Sequence, residues 1–263
     1  MTFGAALADL VLPTACAGCD AERIPLRYGA CADCATALEA LTPFPTAPVP
    51  PPAGMPPCVA VGPYGGALRG ALLAYKEKGR HRLARPLGAL LAGAIAEIAR
   101  DPAEPLLVVP VPSTAKAMRE RHGDHMARLA THAVRRLRTA GWLAAEISQP
   151  FRVLPRADSA SLDAAGRAAA AENSLRIRRS RIGVSRRGTT MRGTLVVVDD
   201  IVTTGATLAA ITARLREVNM QVTGAAVLAA TRRRKTPPGE FANPGHAWHT
   251  RADHHLDGSP NEG

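Results

Sequence analysis

Aromatic side chains are scarce in this chain: Phe, Trp and Tyr account for 3% of its 263 residues, whereas hydrophobic residues account for 46%. A core must therefore consist mainly of Ala, Val and Leu, and few rings can stack on nucleic-acid bases. No apolar run comes near the roughly 18 residues that a membrane-spanning helix requires. The G-x-x-x-x-G-K-S/T pattern of P-loop nucleotide-binding proteins is also absent.

Signals for export are missing as well. No Lys or Arg precedes Cys16, and Asp9 interrupts the apolar stretch Leu7–Leu12. A secretory or lipoprotein signal has a positive charge followed by an uninterrupted apolar segment. We therefore expect a cytoplasmic protein.

Positive charge is in excess, since 33 Lys and Arg face 22 Asp and Glu and the formal net charge is +11. Such a balance favours anionic partners, namely phosphorylated ligands, nucleic acid or acidic membrane surfaces. A genome rich in Arg and Ala codons would give the same composition. Arginines concentrate in Leu175–Arg192 and Thr231–Lys235, which are candidates for contacts with nucleic-acid phosphates. The alternative is that these runs form a solvated loop and a basic tail. This alternative is slightly favoured, because runs of like charge are often unstructured.

Four of the five cysteines form two C-x-x-C pairs, Cys16 with Cys19 and Cys31 with Cys34, separated by 11 residues. Paired motifs of this kind indicate a zinc ribbon, because each supplies two thiolates to one tetrahedral ion. A redox dithiol and a disulfide framework are the alternatives, but redox motifs rarely occur as two spaced copies and nothing indicates an oxidising compartment. The pattern predicts a closed, structural Zn²⁺ site.

Strand and helix patterns alternate from residue 58 onward, which predicts an α/β fold: a parallel sheet with flanking helices. The predicted strands are Cys58–Val61, Leu106–Val111, Ile147–Val153, Leu195–Val198 and Val222–Ala229. The predicted helices are Leu68–Tyr75, Leu83–Arg100, Met126–Thr139 and Leu208–Val218. The chain then divides into a zinc-ribbon module at 1–42, an extended Pro-rich linker at 43–57, the α/β domain at 58–235 and a disordered tail at 236–263.

The segment Val196–Leu208 reads VVVDDIVTTGATL and carries the strongest functional signal. A buried strand leads into two carboxylates and a small-residue loop, and an apolar helix follows. Backbone N–H groups at a helix N-terminus, together with Thr hydroxyls, can hold a phosphate monoester. The carboxylates would repel that phosphate, so we expect them to bind the hydroxyls of an attached ribose or Mg²⁺. An ordinary strand–turn–helix junction is the alternative, but a helix cap alone would not account for two adjacent Asp residues. The candidate residues are Asp199, Asp200, Thr203, Thr204, Gly205, Ala206 and Thr207.

This segment resembles the phosphoribosyl diphosphate (PRPP) motif of type I phosphoribosyltransferases. The resemblance implies that Asp199 and Asp200 grip the ribose, in a catalytic role with Mg²⁺, and that Thr203–Thr207 wraps the 5′-phosphate. An equivalent loop after an earlier strand contacts pyrophosphate in that family. Here the loop contains Ser113 and Thr114, and these residues, with Lys76, are the candidates for binding pyrophosphate.

Further motifs occur in an order that resembles the ComF family of phosphoribosyltransferase-like competence proteins. They are the four-Cys module, Y-K-x-K-G at Tyr75–Gly79, R-P-L-G at Arg85–Gly88, P-V-P at Pro110–Pro112, R-E-R at Arg119–Arg121, and the acidic motif. The resemblance implies a type I phosphoribosyltransferase fold, PRPP and Mg²⁺ as ligands, and a role in DNA uptake. Single-stranded DNA and a competence helicase or other DNA-uptake proteins are then the candidate partners.

The chain departs from the ComF pattern in two places. After R-E-R the family commonly has G-F-N-Q, whereas this chain has His122–His125. The family's mobile-loop region often begins with a Gln that is lost here, while Arg167 is kept; Arg156 and Arg167 are the mobile-loop candidates. Two hypotheses follow: a Mg²⁺-dependent phosphoribosyltransferase with an unknown acceptor, or a protein that binds PRPP or a nucleotide, has lost turnover and handles DNA.

Overall fold

Eight strands and six α-helices occur in the part of the chain that the computed structural model describes, residues 15–153, 175–177 and 193–231. The strands are β1 Phe44–Thr46, β2 Cys58–Pro63, β3 Leu106–Pro110, β4 Ala145–Ile147, β5 Phe151–Val153, β6 Leu175–Ile177, β7 Thr194–Val202 and β8 Gly224–Ala230. The helices are α1 Ala32–Glu39, α2 Gly66–Glu77, α3 Ala84–Ala99, α4 Ala115–Glu120, α5 His125–Thr139 and α6 Ala206–Arg216, with a 3₁₀ turn at His81–Leu83.

The main sheet has six strands in the order β1-β2-β8-β7-β3-β4. The strand β1 runs antiparallel to β2, and every other neighbouring pair is parallel. The pairing of β3 with β7 ends at Pro110 and Val198, whereas β8 pairs with β7 as far as Val202. The strands β5 and β6 form a separate antiparallel pair. The predicted α/β fold, with a mostly parallel sheet and flanking helices, is confirmed.

Two apolar cores lie on opposite faces of this sheet. Successive residues of a strand face opposite sides, so Val196 and Val198 of β7 pack with residues of α2, α3 and α5. Leu195 and Val197 instead pack with α6. All seven residues of β8, sequence GAAVLAA, are buried, as expected for a central parallel strand covered on both faces. Both cores consist mainly of Ala, Val and Leu.

The prediction of one strand at Ile147–Val153 is wrong. The chain forms β4 and β5 there, and the two strands belong to different sheets. Pro150 lies between them, and its missing N–H cannot contribute to a continuous ladder. The strand predicted to end at Val198 also continues to Val202, because β8 supplies a parallel partner over those residues.

The stretch predicted as a linker, residues 43–57, contacts the main sheet. Its first part is β1, whose Phe44 pairs with Ala60 of β2, and Pro is tolerated in such an edge strand. At its other end the carbonyl of Pro57 accepts a hydrogen bond from Ala225 N–H at 2.8 Å. This stretch therefore adds to the sheet rather than only spacing two modules.

Several segments for which the sequence makes predictions lie outside the described residues. These segments are the first 14 residues, the tail at 236–263 and most of the two arginine runs. Within the described ranges, every helix is too short or too polar to cross a bilayer.

Candidate functional site

The four cysteines predicted to bind zinc lie together, with their Sγ atoms all within 4.8 Å of one another. Cys16, Cys31 and Cys34 are buried, and Cys19 is exposed. The N–H groups of Gly18 and Cys31 donate to Cys16 Sγ at 3.3 and 3.2 Å. Burial alone would raise the pKa of Cys16, but backbone hydrogen bonds lower it to about 6, whereas burial and the neighbouring thiols raise the pKa of Cys34. Since thiolate is the metal-ligating form, the cluster could hold one tetrahedral Zn²⁺ with no open coordination position.

The cysteine cluster packs closely on helix α2. A methyl group added at Gly70 of α2 would lie 2.7 Å from the carbonyl oxygen of Ala17 and closer still to that of Gly18. Ala17 is 2% exposed and belongs to the core that contains α2, α3 and α5. An exposed ion pair joins Lys78 to Asp20 at 3.0 Å. The module therefore supports the helix that carries Lys76.

The loop between β7 and α6 forms a small pocket. Asp199 and the residues 201–208 line an open depression with a cavity volume of about 30 Å³. A depression of this size suits a single group of a ligand rather than a whole ligand. Gly205 caps α6 with φ of +74°, a conformation that favours glycine. The helix begins at Ala206, and its N-terminal N–H groups and dipole favour an anion there.

The hydroxyl groups of this loop are accessible. Thr203, Thr204 and Thr207 are exposed, and Thr204 Oγ1 accepts a hydrogen bond from Ala206 N–H at 3.4 Å. Gly205 is buried beneath the Pro-rich stretch: a methyl group there would collide with Met55 Sδ and lie 3.2 Å from Pro48 Cγ. The stretch predicted as a linker thus packs against one side of the loop.

The two adjacent carboxylates lie on opposite faces of β7. Asp199 lines the pocket beside α6, and its Oδ1 accepts the N–H of Asp200 at 2.8 Å. Burial, with the neighbouring charge of Asp200, raises the pKa of Asp199. Asp200 instead contacts residues of α2 and α5, on the face of Val196 and Val198. The acidic pair therefore does not present two equivalent groups.

Asp200 has two basic partners at one oxygen. Lys76 Nζ of α2 lies 2.7 Å from Asp200 Oδ2, and His125 Nε2 of α5 lies 3.1 Å from the same atom. Burial opposes ionisation of Asp200, but the hydrogen bond from His125 and the charge of Lys76 lower its pKa overall. Because a carboxylate only accepts hydrogen bonds, Nε2 of His125 carries a hydrogen.

The other ring nitrogen of His125 reaches the loop after β3. Ser113 Oγ lies 3.2 Å from His125 Nδ1 and 3.0 Å from Asp124 Oδ1, and its one hydrogen can be donated to either of them. Asp124 also accepts the N–H groups of Met126 and Ala127, both at 3.1 Å, and so caps α5. One polar cluster thus joins α2, β7, α5 and the loop after β3.

The sequence-predicted residues fall at different places around this cluster. Lys76 and Ser113, proposed for pyrophosphate, are brought near Asp200, directly and through His125. Thr114 is exposed and caps α4, with its Oγ1 accepting Ala117 N–H at 3.1 Å. Arg156 and Arg167 lie outside the described residues. The cluster residues that the sequence did not assign are Asp124 and His125, whose one signal was their place in the altered segment after R-E-R.

Comparison with known families agrees with the loop geometry. The model of the phosphoribosyl transferase domain matches residues 151–243. The match includes both carboxylates, the loop and helix α6, so this part of the chain is similar to a phosphoribosyl transferase domain. No curated protein matches the chain.

Proposed function

We propose that this protein is a Mg²⁺-dependent phosphoribosyltransferase that uses PRPP and an unknown acceptor. The observation that carries the proposal is the anion pocket at the start of α6, which lies inside the matched phosphoribosyl transferase domain and has a carboxylate in its wall. Phosphate and ribose are joined in PRPP, so a phosphate cradle beside a carboxylate suits both parts of that ligand.

The 5′-phosphate is assigned to the loop Thr203–Thr207. Backbone N–H groups at the N-terminus of α6 can donate hydrogen bonds to an anion, and the exposed hydroxyls of Thr203, Thr204 and Thr207 can donate further ones. Asp199 lines the same pocket and is assigned to the ribose hydroxyls. Asp200 is assigned, with Asp199, to the ribose and to water-bridged Mg²⁺, for which carboxylate oxygens are suitable ligands.

The leaving pyrophosphate is assigned to Lys76, Ser113 and Thr114. Bond breaking at C1 of the ribose builds negative charge on pyrophosphate, and positive groups fixed nearby stabilise that charge. Lys76 has three N–H donors. Its contact with Asp200 at 2.7 Å occupies one of them, so another can donate to a second acceptor. Bound Mg²⁺ would neutralise further charge on the pyrophosphate. Arg156 and Arg167 are proposed to close over the site.

The finer assignment is a ComF-like role in DNA uptake, in the cytoplasm. It is supported by the order of the motifs from the four-Cys module to the acidic motif, and by the net charge of +11, which favours a nucleic-acid partner. Single-stranded DNA and a competence helicase or another DNA-uptake protein are the partners proposed on this basis.

A second candidate is a protein that binds PRPP or a nucleotide without turnover. One observation favours it: the altered segment His122–His125 contributes His125 to the site, where it holds Asp200 and Ser113. A changed residue at the centre of the site is compatible with altered chemistry. Release of pyrophosphate separates the two candidates, because binding alone does not cleave PRPP.

The test is calorimetric titration of the zinc-loaded protein with PRPP and Mg²⁺. We compare wild type with Asp199→Ala/Asp200→Ala, and use Glu97→Ala, which removes an exposed carboxylate from α3, as the control. The proposal expects saturable binding by wild type and the control, and loss of binding in the double variant. A folded wild type that does not bind PRPP would refute the PRPP site.

A further inference from the structure

His125 is a buried polar residue with both ring nitrogens in contact with site residues. It is 7% exposed, and such a group in a protein interior is stable only when its hydrogen bonds are satisfied. Nε2 lies 3.1 Å from Asp200 Oδ2 and Nδ1 lies 3.2 Å from Ser113 Oγ. Among the described residues, His125 is the side chain that contacts both the acidic pair and the loop after β3.

The surroundings hold the backbone of His125 in place. Asp124 caps the helix that begins at His125, and the carbonyl oxygen of His125 accepts the hydroxyl of Tyr75 at 2.8 Å. Tyr75 is 1% exposed and precedes Lys76 in α2. With its backbone held in this way, His125 places its ring between Asp200 and Ser113 and contacts both.

We infer that His125 is a positioning residue that holds the pyrophosphate-binding loop at a fixed place relative to Asp200, so that the two halves of the PRPP site are assembled before the ligand arrives. This inference rests on the proposed function, in which Asp200 belongs to the ribose half and Ser113 to the pyrophosphate half. Preassembly increases affinity for a ligand that occupies both halves, because less conformational entropy is lost when the ligand binds.

The test compares ligands that occupy one half or both. Calorimetry measures the affinities of wild type, His125→Leu and His125→Gln for PRPP with Mg²⁺ and, separately, for ribose 5-phosphate. Leu removes both hydrogen bonds, whereas Gln keeps a donor and an acceptor on a flexible stem. His132→Leu is the control, since it removes an imidazole from the same helix without touching Ser113 or Asp200. Circular dichroism and zinc content verify that each variant is folded.

The positioning role predicts that His125→Leu weakens PRPP binding about 10- to 100-fold, the effect of losing a hydrogen bond to a charged group. Ribose 5-phosphate binding should change less than about threefold, because Lys76 still contacts Asp200, the phosphate loop is untouched and Ser113 lies outside the half that this ligand occupies. His125→Gln should recover most of the PRPP affinity. The inference is overturned if His125→Leu binds PRPP as wild type does, or if Gln is as defective as Leu although folded. A wild type that binds neither ligand refutes the proposed function itself, and with it this inference.

Discussion

The replacement of Gly70 by Ala tests how the cysteine cluster supports helix α2. Alanine is favoured over glycine inside a helix by about 0.8–1 kcal/mol, so propensity alone predicts a more stable protein. The added methyl group, however, would lie 2.7 Å from the carbonyl oxygen of Ala17 and closer to that of Gly18. These are backbone atoms, which cannot rotate away, so either α2 or the C-x-x-C turn has to move.

The matched control is Gly93→Ala in helix α3. Its added methyl group would lie 3.7 Å from Pro43 Cγ, an ordinary contact. Both substitutions place Ala inside a helix, so the propensity gain cancels when the two variants are compared. The remaining difference is the cost of overpacking, about 1–3 kcal/mol. We expect Gly93→Ala to be more stable than wild type, and Gly70→Ala to be less stable than Gly93→Ala by that amount.

Thermal and urea unfolding of the zinc-loaded protein measure this difference. For a domain of this size, each kcal/mol corresponds to about 2–4 °C in Tm. Zinc content and PRPP affinity are measured on the same samples, because displacement of α2 would disturb both the cysteine cluster and Lys76. If Gly70→Ala matched Gly93→Ala in stability and kept its zinc, the close packing of α2 on the cluster would be refuted.

Lys76→Met should weaken PRPP binding in calorimetry about 10- to 100-fold, since it removes a charged hydrogen-bond donor; an unchanged affinity would contradict the role of Lys76. Cys34→Ser should reduce the zinc stoichiometry measured by metal analysis, whereas Cys58→Ala, which alters a buried thiol of β2 outside the cluster, should keep it; equal zinc in both would exclude the four-Cys site. Asp199→Asn should stabilise the ligand-free protein increasingly as the pH rises from about 4 to about 8, because the pKa of Asp199 is raised in the folded wild type, so that the unfolded chain ionises Asp199 over this range while the folded protein keeps it protonated. Urea unfolding at two pH values measures that gain, and a gain independent of pH would contradict it.

Local patterns made the strand–loop–helix segment and the grouping of the four cysteines predictable. The apolar run Val196–Val198, the small residues after it and the helical spacing of Leu208, Ile211 and Leu215 are all contained in one segment. A strand, a turn and a helix start can be read from such a segment because each depends on neighbouring residues. The two C-x-x-C pairs are local in the same sense, and their Sγ atoms lie within 4.8 Å of one another.

The cluster around His125 could not be predicted in this way. His125 and Asp200 are 75 residues apart in the chain, and only the packing of α5 against the sheet brings them together. One sequence has no periodicity that reports such a contact. The Pro-rich stretch shows the same limit: its composition predicts an extended chain, but not that Met55 and Pro48 cover Gly205.

The acidic pair shows how one misplaced strand end changes a chemical interpretation. If β7 ended at Val198, both carboxylates would belong to a loop and could turn toward one ligand. Because β8 continues the ladder to Val202, the two-residue period of a strand places Asp199 and Asp200 on opposite faces. Burial raises the pKa of Asp199, whereas the hydrogen bond with His125 and the charge of Lys76 lower that of Asp200. The pair therefore combines one carboxyl group that favours its neutral form in the ligand-free protein with one that stays ionised, and the two positions contact different parts of the structure.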